Sequence, residues 1–155
     1  MTYTPTTITT KVKEAMMITL RTLPPTGNGT EIQNVVGSGQ DAFDEYPVIR
    51  VIPSGIERNI DSDSCYRDYK MNFVLSVYLE MGDEEIPDEE IIATMCEIID
   101  NIIYRLDTVD WLPNIQGLDL MGGVSSTSIN TIKTKNGTSL YCDIIYPVSY
   151  RTSIA

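Results

Sequence analysis

The sequence predicts an α+β domain with a mainly antiparallel mixed sheet and two main helices packed on one face. Two segments repeat apolar residues at helical spacing, and two others alternate apolar and polar residues as strands do. The order is helix, strands, helix, strands, with a closing hairpin. The chain has 155 residues, 42% of them hydrophobic. We therefore expect residues 1–155 to form one domain, with residues 1–7 as an N-terminal arm.

The N-terminal third predicts one helix and two strands. The helix covers residues 7–23, and Pro24-Pro25 ends it because proline has no N–H and disfavours helix in the preceding residue. Residues 32–36 predict a short strand. Residues 46–53 are β-branched between two prolines, which indicates a strand that is short or lies at a sheet edge. The helix has one apolar face, formed by Ile8, Val12, Ala15, Met16, Leu20 and Leu23.

Residues 54–64 predict a polar loop, and residues 66–81 predict the clearest strand of the chain. In that strand the apolar and polar side chains separate onto two faces. We expect the first face to be buried in the core and the second to be partly exposed to solvent. The first consists of Met71, Phe73, Leu75, Val77, Leu79 and Met81, and the second of Asn72, Ser76, Tyr78 and Glu80.

Residues 88–107 predict the second helix, with Pro87 at its start and Asp88 as a possible cap. Its broad apolar face indicates that a sheet covers most of its length, and Cys96 falls within it. Beyond the helix, Trp111 is expected to be a buried anchor in an irregular stretch. The periodic apolar residues are Ile91, Ile92, Met95, Ile98, Ile99, Ile102, Ile103 and Leu106.

The final third predicts a hairpin. One strand covers residues 124–133, Asn136-Gly137 makes the turn, and the return strand covers residues 140–151. Pro147 cannot donate a ladder hydrogen bond, so we expect an edge or a bulge there. The apolar face of the return strand consists of Leu140, Cys142, Ile144, Tyr146, Val148 and Tyr150.

Composition excludes several classes of function. The chain contains no histidine, which removes the commonest general acid/base and the commonest zinc ligand. Its net charge of -11 and pI near 4.2 oppose binding to nucleic acid phosphates or anionic membranes. No leader segment or membrane-spanning run is expected. Cys65, Cys96 and Cys142 are odd in number and far apart, which is typical of a reduced chain with Cys96 and Cys142 in the core.

No motif in the chain predicts catalysis or a cofactor. Residues 37–42 match the G-x-G-x-x-A form of the dinucleotide fingerprint, but no helix can open before the following strand. Asp61-Ser62-Asp63 begins like a calcium loop, yet Tyr66 stands where a glycine should turn the chain. The carboxylates of residues 83–90 have no spacing that points them at one metal. We therefore expect no enzyme, no cofactor and no metal site.

Charge and tyrosine content indicate interaction instead. Residues 61–110 hold fourteen acidic and three basic residues, whereas the two ends are close to neutral. The chain has nine tyrosines but two phenylalanines, and tyrosine is enriched both at interfaces and on half-buried sheet surfaces. We expect residues 54–64 and 133–139 to reach neighbouring subunits. The candidate subunit or partner contacts are Tyr66, Arg67, Tyr69, Lys133, Lys135 and Asn136.

The order of elements resembles the tail terminator (tail-completion) proteins of long-tailed bacteriophages. The resemblance covers most of the chain, although the family has no diagnostic motif, so no functional residue is carried over. It consists of an N-terminal helix, a Tyr-Pro strand at residues 46–51, a long alternating strand at 71–81, an Ile-rich helix at 91–106 and a closing strand at 140–151.

The resemblance implies a structural virion protein of the tail-neck region, made in the host cytoplasm. Such subunits form a ring, commonly a homohexamer, that caps the tail-tube protein, ends tube growth and meets the head-completion or connector protein. DNA later passes through the lumen without specific binding, and an acidic lumen would repel its phosphates. The candidate lumen-facing residues are Asp83, Glu84, Glu85, Asp88, Glu89 and Glu90.

Two other functions fit the sequence. The first is another neck adaptor, such as a head-closure or head-tail joining protein, which would share the self-association but contact a different partner. The second is an acidic inhibitor that mimics DNA. Mimics need carboxylates along an extended face, whereas the acidic excess here is concentrated in one third of the chain.

Overall fold

The computed structural model describes residues 4–37, 43–59, 66–82, 86–134 and 137–153. These residues form a single compact α+β domain, as predicted, with a seven-stranded mixed sheet. Its elements in chain order are α1 (Pro5–Leu20), β1 (Asn34–Val36), β2 (Val48–Asn59), β3 (Tyr66–Gly82), α2 (Glu89–Leu106), a 3-10 turn (Val109–Trp111), β4 (Leu118–Leu120), β5 (Ser125–Ser126), β6 (Asn130–Thr134) and β7 (Gly137–Ser153).

The sheet is centred on the long antiparallel pair β3–β7. Strand order is β1-β2-β3-β7, and β4, β5 and β6 lie one after another along the outer side of β7. Only the pairing of β1 with β2 is parallel among the described strands. At one end Tyr66 faces Ser153, and at the other Gly82 faces Thr138. Strands of this length are about 55 Å long.

The core lies between one face of this sheet and the two helices. The predicted apolar faces of β3 and β7 are both buried there, as is the predicted stripe of α1. The alternation in the sequence therefore identified the core face correctly, because side chains two positions apart share a face of a strand. The largest fully buried side chains are Phe73, Ile8, Met16, Leu20, Ile49, Met71, Leu75, Met95, Ile102, Leu106, Leu140 and Ile144.

Helix α1 begins and ends earlier than predicted. The side chain of Thr4 accepts a hydrogen bond from the backbone N–H of Thr7, and Pro5 occupies the first turn, where its missing N–H costs nothing. The predicted N-terminal arm over residues 1–7 is thus wrong for residues 5–7, which are helical. The helix ends at Leu20, four residues before Pro24.

Helix α2 matches its prediction closely, and its two ends are fixed by side chains. The Asp88 carboxylate accepts a hydrogen bond of 2.8 Å from the Ile91 N–H at the N-terminus. At the C-terminus, the Leu106 carbonyl accepts one hydrogen bond from Trp111 Nε1, at 3.0 Å, and another from the Tyr146 hydroxyl. The predicted burial of Trp111 is confirmed, and β7 is joined directly to the helix end.

Cys96 is exposed, so its predicted place in the core is wrong. Successive residues of an α-helix are 100° apart, and the buried face of α2 is centred on Met95, Ile98 and Ile102. Cys96 is turned away from that face, although it is adjacent to Met95 in sequence. Cys142 is buried as predicted, and burial raises the pKa of its thiol.

Strand β2 is longer than predicted and includes part of the expected polar loop. Residues 54–59 are strand, not loop, and they pair with β3 up to Asn59 opposite Asp68. A register shift between Pro53 and Gly55 absorbs one residue and lets the pairing continue. Residues 60–64 of the predicted loop lie outside the described residues.

The predicted C-terminal hairpin is confirmed as β6 and β7, but its first strand is interrupted. Thr127 breaks the ladder because its hydroxyl, rather than its carbonyl, accepts from the Asp143 N–H at 3.0 Å. Strand β5 therefore ends before Thr127 and β6 begins after it. The predicted turn falls on Asn136, outside the described residues, and on Gly137, which already pairs with Thr134.

Pro147 lies at an unpaired edge, as predicted. The N–H of Arg151 donates to the Gly117 carbonyl, and the N–H of Thr127 donates to the Asp143 carbonyl. Odd-numbered residues of β7 therefore direct their backbone groups to the outer side of the strand. Pro147 falls in the gap between the stretches that pair with β4 and β5, where no ladder hydrogen bond is lost.

The Tyr146 hydroxyl gives the fold a measurable pH dependence. Burial raises its pKa from 10.0 to about 12. The unfolded chain loses this proton first, so the stabilisation is complete below pH 10 and declines as pH rises from 10 towards 12. Tyr146→Phe should lower the free energy of unfolding by about 1 kcal/mol at pH 8. Urea titrations of both proteins at pH 8 and pH 11 should show a smaller difference at pH 11.

Tyr104→Phe is the matched control, because Tyr104 is 84% exposed. This variant should match the parent at both pH values. A difference between parent and Tyr146→Phe that stays constant from pH 8 to pH 11 would contradict the assignment.

Candidate functional site

One face of the sheet has neither of the two described helices against it, and we call its central part the open face. Both helices pack on the opposite face. The register places side chains of β2, β3 and β7 side by side in rows across the open face. These rows consist of Arg50, Ile52, Val74, Ser76, Asp143 and Ile145.

An aromatic group covers one end of the open face. Phe43 is buried against Tyr78, with ring centroids 5.2 Å apart, and meets Tyr46 edge-on at 5.9 Å. Tyr78 stacks on Tyr141 at 6.1 Å. The Arg50 guanidinium lies 5.6 Å from the centre of the Tyr78 ring, a distance at which a cation and an aromatic face attract. This end of the face is thus a small second core.

The middle of the open face combines one polar row with one apolar row. In the polar row, the Ser76 hydroxyl donates to Asp143 Oδ1 at 2.6 Å, and Ser76 is almost fully buried. In the apolar row, Ile52, Val74 and Ile145 are adjacent across three strands, and Ile145 is 38% exposed. Apolar side chains next to one another on an uncovered sheet favour contact with another surface.

Three strands continue beyond the end of α2, and we call residues 55–59, 66–70 and 149–153 the arm. Helix α2 ends at Leu106, whose carbonyl is bonded to Tyr146, and Tyr146 faces Phe73 in the sheet. From Phe73 to Tyr66, strand β3 runs about 23 Å farther at 3.3 Å per residue. The arm therefore extends past the point at which α2 ends.

The arm is held together by one ion pair and two ring contacts. Arg151 donates to both oxygens of Asp68, at 2.6 and 3.0 Å, and also lies 5.2 Å from the centre of the Tyr66 ring. These hydrogen bonds lower the pKa of the Asp68 carboxyl. On the other face, Tyr69 stacks on Tyr150 at 6.3 Å. A cleft of about 660 Å³ lies between these residues and β4.

The loop before β4 fits tightly against the base of the arm. Gly117 has φ +91 and its carbonyl accepts from the Arg151 N–H at 2.9 Å. A Cβ at this position would lie 2.0 Å from the Arg151 carbonyl oxygen. Glycine is thus required here for two reasons: the positive backbone angle φ and the close approach of the Arg151 carbonyl.

The predicted acidic residues fall into two groups. Asp83, Glu84 and Glu85 lie outside the described residues. Asp88 caps α2, and Glu89 and Glu90 are exposed in the first turn of that helix. Carboxylates there also stabilise the helix, because they face its partial positive charge.

The predicted contact residues do not form one surface. Tyr66, Arg67 and Tyr69 lie in the arm, whereas Lys133 lies in β6 opposite Thr138. Along β7 these positions are separated by about 50 Å of strand. Lys135 and Asn136 lie outside the described residues. The structure therefore places the predicted contacts at two ends of the sheet.

Two features of the site were missed from sequence. On the sides of the strands away from the core, Val74 stands between the polar Asn72 and Ser76, and Ile145 stands between Asp143 and Pro147. Each is a break in the alternation. That break was the available signal for an apolar row. The β2 portion of the arm, residues 55–59, could not be predicted as strand because it is mostly polar and becomes a strand through pairing with β3.

Within the described ranges, no group of three or more Cys, Asp or Glu side chains is arranged to hold a metal ion. The helices described are all too short or too polar to cross a membrane. The geometry assembles surfaces for contact: an apolar row, an arm and exposed charges. The chain matches no known protein-family model, and no curated protein matches it either.

Gly117→Ala tests how the loop and the arm are joined. The left-handed angle alone should cost about 1 kcal/mol, and the contact with the Arg151 carbonyl should add at least about 2 kcal/mol. Gly29→Ala is the control, since Gly29 has φ +85 with nothing within 4 Å of the added Cβ. Urea denaturation of both variants should show the larger loss for Gly117→Ala. Equal losses would mean that the close approach contributes nothing.

Proposed function

We propose that this chain is the subunit of a ring that caps a bacteriophage tail tube, the role of a tail terminator. The observation that carries the proposal is the apolar row on the open face. A helix layer covers the opposite face, yet Ile145 remains 38% exposed at the centre of the open one. A subunit whose sheet face is covered only in an assembly accounts for this arrangement.

The shape of the sheet favours association through faces rather than through strand addition. Beyond its pairing with β1, the outer side of β2 has no strand partner in the described part of the chain. Pro53 and the register shift after it blunt that edge, and blunted edges resist pairing with further strands. Association through faces is therefore better supported than strand addition.

The exposed carboxylates support a channel for DNA. Glu89 and Glu90 project from the first turn of α2, and residues 86–111 hold seven acidic residues against Arg105. A ring with Glu89 and Glu90 on its inner wall repels phosphates and lets DNA pass without binding. In this proposal the protein belongs to the virion neck, between the tube and the head connector.

Assembly of tail tubes is the direct test. The tail-tube protein from the same genome is polymerised with and without this chain, and tube lengths are measured by electron microscopy. We expect the chain to bind one tube end and stop elongation. Ile145→Lys should abolish end binding, because it places a charge in the apolar row. Ile18→Lys is the control, since Ile18 is 61% exposed on α1; it should behave as the parent does.

Three results would contradict the proposal. Binding to a head-connector protein but not to tubes would indicate a neck adaptor instead. A stable monomer that binds a nuclease or polymerase would indicate a DNA mimic. Equal loss of end binding in Ile145→Lys and Ile18→Lys would show that the open face is not the contact.

The position of Glu89 and Glu90 gives a second prediction. In a cryo-electron microscopy reconstruction of the capped tube, both carboxylates should face the central channel. If they pointed into outer solvent, the acidic-lumen part of the proposal would be wrong, while the capping role would stand or fall on the tube assay.

A further inference from the structure

The outward side of α2 carries an acidic and aromatic stripe, consisting of Cys96, Asp100, Tyr104 and Asp107. At 100° per residue these four positions fall within about 80° of the helix circumference, turned away from the buried Met95 and Ile102. All four are exposed, and Tyr104 is the most exposed large apolar side chain among the described residues, at 84%. Tyrosine is enriched at protein interfaces, and the neighbouring carboxylates make this surface complementary to a basic partner.

The arm carries the opposite charge on the side of the sheet that faces the helices. Arg58 lies opposite Tyr69, and Arg67 is two residues before Tyr69 on the same face. The two arginines are therefore diagonal neighbours, about 7–8 Å apart at the backbone. Both are exposed, and neither side chain has an ion pair or side-chain hydrogen bond with another described residue. Like charges this close favour an acidic partner.

We propose that the arm of one subunit docks on the α2 stripe of the next, with Arg58 and Arg67 against Asp100, Tyr104 and Asp107. An arginine can pair with a carboxylate and stack on a tyrosine ring at once, so this set is complementary in both charge and shape. Asp61 and Asp63, which follow the arm's β2 portion, lie outside the described residues.

The partner that we propose for each surface is a second copy of the chain, because the chain carries both complementary surfaces. The two surfaces differ, so each subunit offers an arm to one neighbour and a stripe to the other. Such a contact repeats head to tail and closes into a ring when the rotation allows. The extension of strand β3 by about 23 Å beyond the end of α2 gives the arm the reach. The inference rests on the proposed ring, and it leaves Glu89, about 17 Å from Asp100 along α2, for the channel.

Charge exchange tests the pairing. The variants are Arg58→Glu/Arg67→Glu, Asp100→Lys/Asp107→Lys, and all four changes together; Glu14→Lys, an exposed reversal on α1, is the control. Self-association is measured by sedimentation at low salt, alone and with tail-tube ends, after thermal unfolding has confirmed that each variant folds. Each double variant should associate at least about tenfold more weakly than the parent. The variant that carries all four substitutions should regain most of the lost affinity.

The outcomes separate this inference from the proposed function. If the parent associates and both double variants match it, the arm–stripe contact is wrong while the ring remains. If self-association weakens in both double variants and is not restored in the variant with all four substitutions, the two surfaces bind other partners and the inference is overturned. If the parent neither self-associates nor binds tube ends, the proposed function fails, and this inference fails with it.

Discussion

The pairing of β3 with β7 is the constraint on which the rest of the structure depends. Directly opposed residues of an antiparallel pair share a face, so the alternation of both strands must be in phase. In this register every core-facing residue of β3 from Met71 to Leu79 meets an apolar residue of β7, and the helices cover that layer. A slip of one residue would expose the whole layer, which makes the register strongly specified. The same register fixes the open face and the arm.

The sequence predicted those parts of the fold whose signals are local. The periodicity of α2 and the alternation of β3 and β7 each lie within one element, and all three were located within two or three residues. Residues 54–59 were missed because they are polar; they become strand through hydrogen bonds to β3, which are invisible in their own composition. Cys96 was misplaced because one position, or 100°, separates it from buried Met95.

Prediction of the site from sequence identified residues but not their arrangement. Tyr66, Arg67 and Tyr69 were singled out for type and charge, and they do lie on a projecting surface. That Arg58 is their neighbour depends on a register across residues distant in sequence. The exposure of Tyr104 could not be predicted from sequence for a similar reason. Its helix was predicted as a whole to lie on the sheet, and only the packed structure separates the residues that face the core from those that do not.

The connectivity of the central pair also determines when the sheet can form. Ser153, the partner of Tyr66, follows it by 87 positions, so β3 waits for β7 to be synthesised. Until then the helices can cover the apolar face of β3 and β2 can pair with one of its edges, but its other edge stays unpaired. Nonlocal pairing of this kind slows folding and leaves an aggregation-prone strand on the nascent chain. Loss of the last few residues of β7 would therefore affect the yield of soluble subunit more than their small share of the core suggests.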